Sequence, residues 1–205
     1  PSRLLINVYL RTGVKIQPSN RQRSTIVTVT AATQRIPKPA RKAFEQAQKY
    51  RSKNQQQKAL DSYNRSIDIF PAYVQAYAER GHLRIATMQA EEAAADFLHA
   101  LELDSGCESA LRGLGICRLQ QDDYEGAIKY LERAIAASPR SAVGHLLLGI
   151  CHSQLSRHDV ARAALEKALA IDPKGAVRGH VHLANLWIRE NRPHEAIAEL
   201  EVYLA

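Results

Sequence analysis

The 205-residue chain is short of several things that would place it in a familiar class. Its three cysteines, Cys107, Cys117 and Cys151, form no CxxC pair and leave an odd number, so neither a disulfide framework nor a zinc ribbon is expected. No run approaches the roughly 18 uncharged apolar residues of a membrane span. Aromatic residues make up only 6% of the chain, too few for one thick core. No phosphate loop, HExxH pair, nucleophile elbow or pair of catalytic carboxylates is present, so no catalytic residue, cofactor or metal is predicted. Acidic residues are missing altogether from the first 39 positions.

What is present is ordinary globular material, 45% apolar and 24% charged, which excludes global disorder. Alanine occurs 31 times; it is the best helix former and allows close helix contacts. The net charge of +7 is polarised: +7 over residues 1–39, +4 over 40–73 and −4 over 74–205. A basic end suits nucleic acid or an anionic surface, with Arg11, Lys15, Arg21, Arg23, Lys49, Arg51 and Lys53 as the candidate contacts. Single-strand recognition also needs stacking aromatics, and only Tyr9 lies within the first 39 residues, so those cations read as a solvated strand face. The chain starts at Pro1 with no signal-peptide pattern and is expected to be a fragment or a processed product. Cysteines that read as reduced suit a cytoplasmic site, but an odd cysteine count is tolerated elsewhere too, so the sequence does not fix the compartment.

Two unlike regions follow. Residues 4–10 (Leu-Leu-Ile-Asn-Val-Tyr-Leu) and 24–30 (Ser-Thr-Ile-Val-Thr-Val-Thr) carry the β-branched, partly alternating pattern of strands, with turn residues Thr12-Gly13 and Pro18-Ser19-Asn20 between them. Residues 1–35 are therefore expected to be the end of a β domain, because two or three strands do not stand alone in water. Residues 36–39, Ile-Pro-Lys-Pro, read as a stiff linker, and the chain reads as helical from Ala40 onward.

The helical region repeats. Pro71, Ser105, Pro139 and Pro173 are spaced by 34 residues, and small residues recur in step: Ala47, Gly81, Gly115, Gly149, Ala184, then Ala59, Ala93, Ala127, Ala161, Ala196. A third series is Ser66, Ala100, Ala134, Ala168; the fifth unit runs one residue late, which places an insertion near Lys174-Gly175. Such a period means stacked units, here about 40–73, 74–107, 108–141, 142–176 and 177–205, each touching only its neighbours. Two helices per unit must cross closely, with Gly or Ala at the crossing. Tyr63, Phe97, Leu131, Leu165 and Leu200 fill the space beside it, and proline ends the second helix.

Unit three shows the pattern most fully: Leu111-Arg-Gly-Leu-Gly-Ile-Cys-Arg-Leu, then Asp123-Tyr-Glu-Gly-Ala-Ile-Lys-Tyr-Leu-Glu-Arg-Ala-Ile, then Ser138-Pro139. These residues resemble the tetratricopeptide repeat, a 34-residue helix–turn–helix unit, over residues 40–205. The resemblance implies an all-α, right-handed superhelix preceded here by a short β-strand segment. The layout is also similar to bacterial tetratricopeptide proteins in which a β-sandwich precedes the array. Departures from the family pattern are Ala43, His145 and His180 at the bulky position early in the first helix, and Ser105 in place of proline.

The resemblance further implies a concave face lined by the first helix of each unit and a protein or peptide partner bound there. Carried over by position, unit one contributes Phe44, Gln48 and Arg51, and unit two Gln75, Ala78, His82 and Ile85. Unit three contributes Ser109, Arg112, Ile116 and Leu119; unit four Val143, Leu146 and Ile150; unit five Arg178, Val181, Asn185 and Ile188. One subclass of the family clamps a C-terminal carboxylate with lysines and asparagines. The comparable places here are Phe44, Gln48, Ala78, His82 and Arg112, so that clamp is absent. The remaining set reads as an apolar stripe flanked by Arg51, Arg112 and Arg178, suited to an amphipathic helix or an extended apolar segment with acidic residues at its rim. The competing reading covers the stripe with the array's own end helix, the N-terminal strands or a sister copy.

Other features have plainer readings. His145, His152, His180 and His182 are expected to be packed or surface residues rather than metal ligands. Cys117 and Cys151 are expected to be small core residues. Glu91-Glu92 and Asp122-Asp123 fall where a second helix begins and suit its N-terminus. The last helix carries Ile197, Leu200, Val202 and Leu204 with no polar cap, so either the natural chain continues or two copies meet end to end. The expected function is a non-enzymatic interaction scaffold; the alternatives are binding to nucleic acid or an anionic surface, and a helper domain of a larger enzyme.

Overall fold

The computed structural model describes residues 35–204, and every regular element among them is an α-helix. Unit one is α1 (Lys38–Ser52) and α2 (Gln56–Ile69); unit two is α3 (Val74–Ala86) and α4 (Ala90–Leu103). Unit three is α5 (Glu108–Gln120) and α6 (Tyr124–Ala137), unit four α7 (Ala142–Gln154) and α8 (His158–Ile171), and unit five α9 (Arg178–Arg189) and α10 (Pro193–Leu204). The first helix of each unit is its A helix and the second its B helix. The strands expected within residues 1–35 lie outside the described residues, apart from Arg35. The stretch expected to be a linker is shorter than 36–39. Pro37 is the N-cap and α1 opens at Lys38, with Pro39 in the first turn, where a missing N–H leaves no bond unmade.

Each A helix stops in the same way. Asn54, Met88, Asp122, Ser156 and Asn191 adopt left-handed backbone, φ 56° to 61°, at the same place in the five units. The next residue's N–H then reaches back into the helix, as in Gln55 to Tyr50 O at 2.9 Å, Gln89 to Arg84 O at 2.8 Å and Arg192 to Trp187 O at 2.8 Å. This is the Schellman closure, and none of the five residues is the glycine that adopts it most easily. Asp123 then caps α6, its Oδ1 accepting the Gly126 N–H at 2.9 Å, as its place at the helix start suggested. Between units the chain takes 70–73, 104–107 and 138–141, but 172–177 before α9. The longer loop holds the insertion expected near Lys174-Gly175, closed by the Gly175 N–H on Asp172 Oδ1 at 2.9 Å.

Close crossing of A on B is built into three glycines. A Cβ on Gly81 would fall 2.7 Å from the Phe97 ring, one on Gly115 2.8 Å from Leu131, and one on Gly149 2.7 Å from Leu165. The larger partners are fully buried, as are Ala59, Ala93, Ala127 and Ala161 beside them. Among the described residues the core accordingly divides into four clusters strung along the array, two of them joined at Phe44, rather than one mass. Successive A helices α3, α5, α7 and α9 touch one another in turn, whereas successive B helices make no comparable contact. The A helices therefore form the inner layer of the curve.

Candidate partner-binding groove

The positions expected to face inward on the A helices change in chemistry along the array. In units one to three the groove is polar and cross-linked. Arg51 on α1 pairs with Glu79 on α3. His82 Nε2 on α3 lies 3.0 Å from Ser109 Oγ on α5. Glu108 Oε1 accepts from Arg112 Nε and from Ser141 Oγ, each at 3.0 Å, joining α5 to the N-cap of α7. Each bond links one A helix to the next or holds a cation beside the link. His82 also stands edge-on to Phe97, ring centres 5.0 Å apart. Burial, with help from the Arg112 and Arg51 charges, pushes its pKa down to about 4, so the ring is neutral at physiological pH.

In units three to five the groove turns apolar. Ile116, Leu146, Ile150 and Val181 are half-buried, while Val143 and Ile188 are exposed, at 45% and 58%. Arg178 and Asn185 lie exposed beside them. The stripe is partly structural: Leu119 packs on the cluster around Leu131, Leu146 on that around Leu165 and Leu183, and Ile85 on that around Phe97.

Two of the expected lining residues go elsewhere. Phe44 is an aromatic core residue, its ring 5.6 Å from Tyr63 and 5.0 Å from Tyr73; with large rings filling unit one, the position points into the helix pair. Ala78 is buried at the floor. Gln48 and Gln75 are exposed. Reading by position also passed over the groove's anions, Glu79 and Glu108, because their places were not among the four counted as inward.

The histidines weighed as metal ligands are engaged separately. His145 Nε2 meets Pro139 O at 3.1 Å and His180 Nδ1 meets Glu199 Oε2 at 2.6 Å, while His152 is buried with Nδ1 unpartnered. Among the described residues no group of three or more metal-binding side chains converges. Cys117 and Cys151 are buried and free; burial raises both thiols, Cys151 to about 11, which makes them poor nucleophiles.

Two constellations outside the groove went unread in the sequence. Asp96, 3% exposed, accepts from Arg80 Nε at 2.9 Å, Arg80 Nη2 at 2.6 Å and Arg84 Nη1 at 2.8 Å. Arg80 also reaches Asn64 Oδ1 at 2.7 Å, tying units one and two together. The available signal was arginine at 80, where units three, four and five have Leu114, Leu148 and Leu183. In unit five Trp187 is sandwiched between the Arg162 and Arg192 guanidiniums, 4.2 and 4.1 Å from the ring centre.

Five helix pairs stacked with their A helices inward define a helical-repeat solenoid with a concave groove. Two tetratricopeptide-repeat family models match residues 107–174 and 146–205. The crystal structure of MamA superposes with a TM-score of 0.65 at 24% identity, over 77% of this chain and 92% of that one. PilF of Pseudomonas aeruginosa gives a TM-score of 0.73 at 19% identity, over 81% and 75%. YrrB, described as a tetratricopeptide protein with an unusual peptide-binding site, gives 0.60 at 18%, over 79% and 83%. Residues 107–205 match the tetratricopeptide-repeat family, and the described residues 35–204 are all-α and wound as a right-handed tetratricopeptide superhelix. Such arrays are protein-interaction scaffolds, and the fold supports that role here. No described helix is long and apolar enough to cross a membrane.

Proposed function

We propose that this chain is a non-enzymatic scaffold that holds a peptide or helical segment of a partner protein in its concave groove. The observation that supports it is the division of the groove: a polar, cross-braced half in units one to three and an apolar half in units three to five. A segment with one apolar face satisfies Val143, Ile150, Val181 and Ile188, and acidic residues on that segment suit the exposed Arg178. YrrB gives a precedent for peptide binding on this fold. Nothing among the described residues adds support to nucleic acid or to a helper role in an enzyme.

The test is selection of displayed peptides on the 205-residue protein, followed by titration against Leu146→Glu/Ile150→Glu, with the helical circular dichroism of the variant checked first. Selected peptides are expected to carry apolar residues at helical spacing with acidic neighbours, and to bind the double variant about tenfold or more weakly. Binding that is unchanged in the variant removes the apolar half from consideration. Binding that falls steeply with salt and survives the variant favours an electrostatic surface instead.

A further inference from the structure

Where one unit meets the next, four equivalent positions lie on the outer side of the array, between successive B helices. At the first joint, between units one and two, they are Asn64, Arg80, Arg84 and Asp96, and the ion cluster around Asp96 fills the space. One period on, between units two and three, the same places hold Leu98, Leu114, Arg118 and Tyr130. All four line an open cleft of about 330 Å³ between α4 and α6. It adjoins, through Arg118 and Tyr130, a second cleft of about 400 Å³ along α6. The corresponding sets further along are Glu132, Leu148, His152 and Ala164, then Glu166, Leu183, Trp187 and Glu199, and neither contains an arginine.

The second joint lies inside the array, with a described unit on either side of it. The α4 wall of its cleft is apolar, formed by Ala94, Ala95 and Leu98, and Leu98 is 49% exposed. The α6 wall is cationic: Lys129 and Arg133 are exposed there and enter no ion pair among the described residues. Arg118 keeps the place of Arg84 without its counter-ion. Arg84 meets Asp96 at 2.8 Å, whereas Arg118 reaches Gln121 Oε1 at 3.3 Å and Asp123 Oδ2 at 3.8 Å. Asp123 is already used as the cap of α6, and Glu91, also in the cleft, stands in the first turn of α4, where a helix start favours it. Relative to the first joint, the second lacks one carboxylate and has an apolar space in its place.

We propose that this outer cleft binds an acidic segment of a partner protein, with a large apolar side chain between Leu98 and Tyr130 and a neighbouring aspartate or glutamate on Arg118. The first joint supplies the precedent within the chain, since there a carboxylate sits against the arginine at the same place. Lys129 and Arg133 extend the preference for acid along the segment. A cleft open to solvent along its length suits a stretch of polypeptide that rests in it, whereas a small molecule needs to be enclosed on most sides. Residues 1–34 cannot supply the carboxylate, because they carry five basic side chains and no acidic one. The site lies on the opposite face from the concave groove and does not depend on the groove reading.

Random displayed peptides selected on the 205-residue protein, then titrated as labelled synthetic copies, test this. The variants are Leu98→Glu and Arg118→Gln in the cleft, both at exposed positions, and Ile188→Glu in the concave groove, which separates the two sites. One class of peptides is expected to carry an aromatic residue or leucine beside aspartate or glutamate, and to bind each cleft variant about tenfold or more weakly while binding Ile188→Glu unchanged. Changing the peptide's acid to its amide is expected to weaken binding to the wild type and to leave binding to Arg118→Gln unaltered, the mark of a direct pair. If a cleft variant loses helicity, Lys129→Glu/Arg133→Glu, on the exposed wall of α6, replaces it. Recovery of no peptide that Leu98→Glu weakens and Ile188→Glu spares overturns the proposal, as does a class with basic neighbours in place of acidic ones. Self-association of the wild type in sedimentation that Leu98→Glu abolishes overturns it in favour of a second copy as the occupant.

Discussion

Units two and four share a backbone and differ in what fills it. Arg80, Arg84 and Asp96 of unit two stand where unit four has Leu148, His152 and Ala164. The first set is an ion cluster around a buried carboxylate, and the second is two small or apolar groups and a buried imidazole. Both units nonetheless have A helices of 13 residues and B helices of 14, closed by a left-handed residue at Met88 and at Ser156. Common to both is the close crossing of glycine on a large partner, Gly81 on Phe97 and Gly149 on Leu165. The crossing defines the helix pair, and the chemistry beside it differs between the two units, from a fully paired carboxylate at Asp96 to an unpartnered Nδ1 at His152.

The sharpest way to break the comparison is Asp96→Ala, which leaves two arginines facing each other in a space built around their counter-ion. A loss of about 3–5 kcal/mol is expected, measured by urea unfolding. Replacing the whole cluster with the unit-four residues, Arg80→Leu, Arg84→His and Asp96→Ala together, is expected to recover most of that loss, since it leaves no buried charge without its counter-ion. If the triple variant is no more stable than Asp96→Ala, the chemistry is not exchangeable and the comparison fails.

Acid acts more gradually and on both units. His82 in unit two is held near 4 and His152 in unit four is also lowered by burial, so the folded chain resists protons that the unfolded chain accepts near 6.5. The sign follows: stability is full above pH 6.5 and falls as pH drops from there toward 4. His82→Gln is expected to flatten that decline in a urea-midpoint series. An unchanged slope would mean that His82 is protonated in the fold without penalty. Smallest is the effect of Met88→Gly, which relieves left-handed backbone at an exposed position. Its expected gain is about 0.5–1 kcal/mol, read as a rise in thermal midpoint. The same change at Ser156 compares the two turns directly.

Much of the fold was legible because its determinants recur at a fixed spacing. Gly81, Gly115 and Gly149 mark crossings that permit no side chain, and the one-residue delay of unit five located the longer loop at 172–177. The groove was legible only as a set of positions. That Arg51 and Arg112 are already paired with Glu79 and Glu108, and that Phe44 turns into an aromatic cluster, depends on helices distant in sequence. The period says which positions are equivalent and nothing of which neighbour completes each one.

By itself, then, the sequence determined the repeat and the helix pairs, because these rest on steric limits within about 34 residues: a missing Cβ at the crossing and a proline after the second helix. Only the tertiary structure decided that Arg80 and Arg84 converge on Asp96 and that the groove divides into polar and apolar halves. Those features depend on how far each side chain reaches across a helix interface and on what meets it there. Stacking sets those distances, and residue spacing along the chain does not.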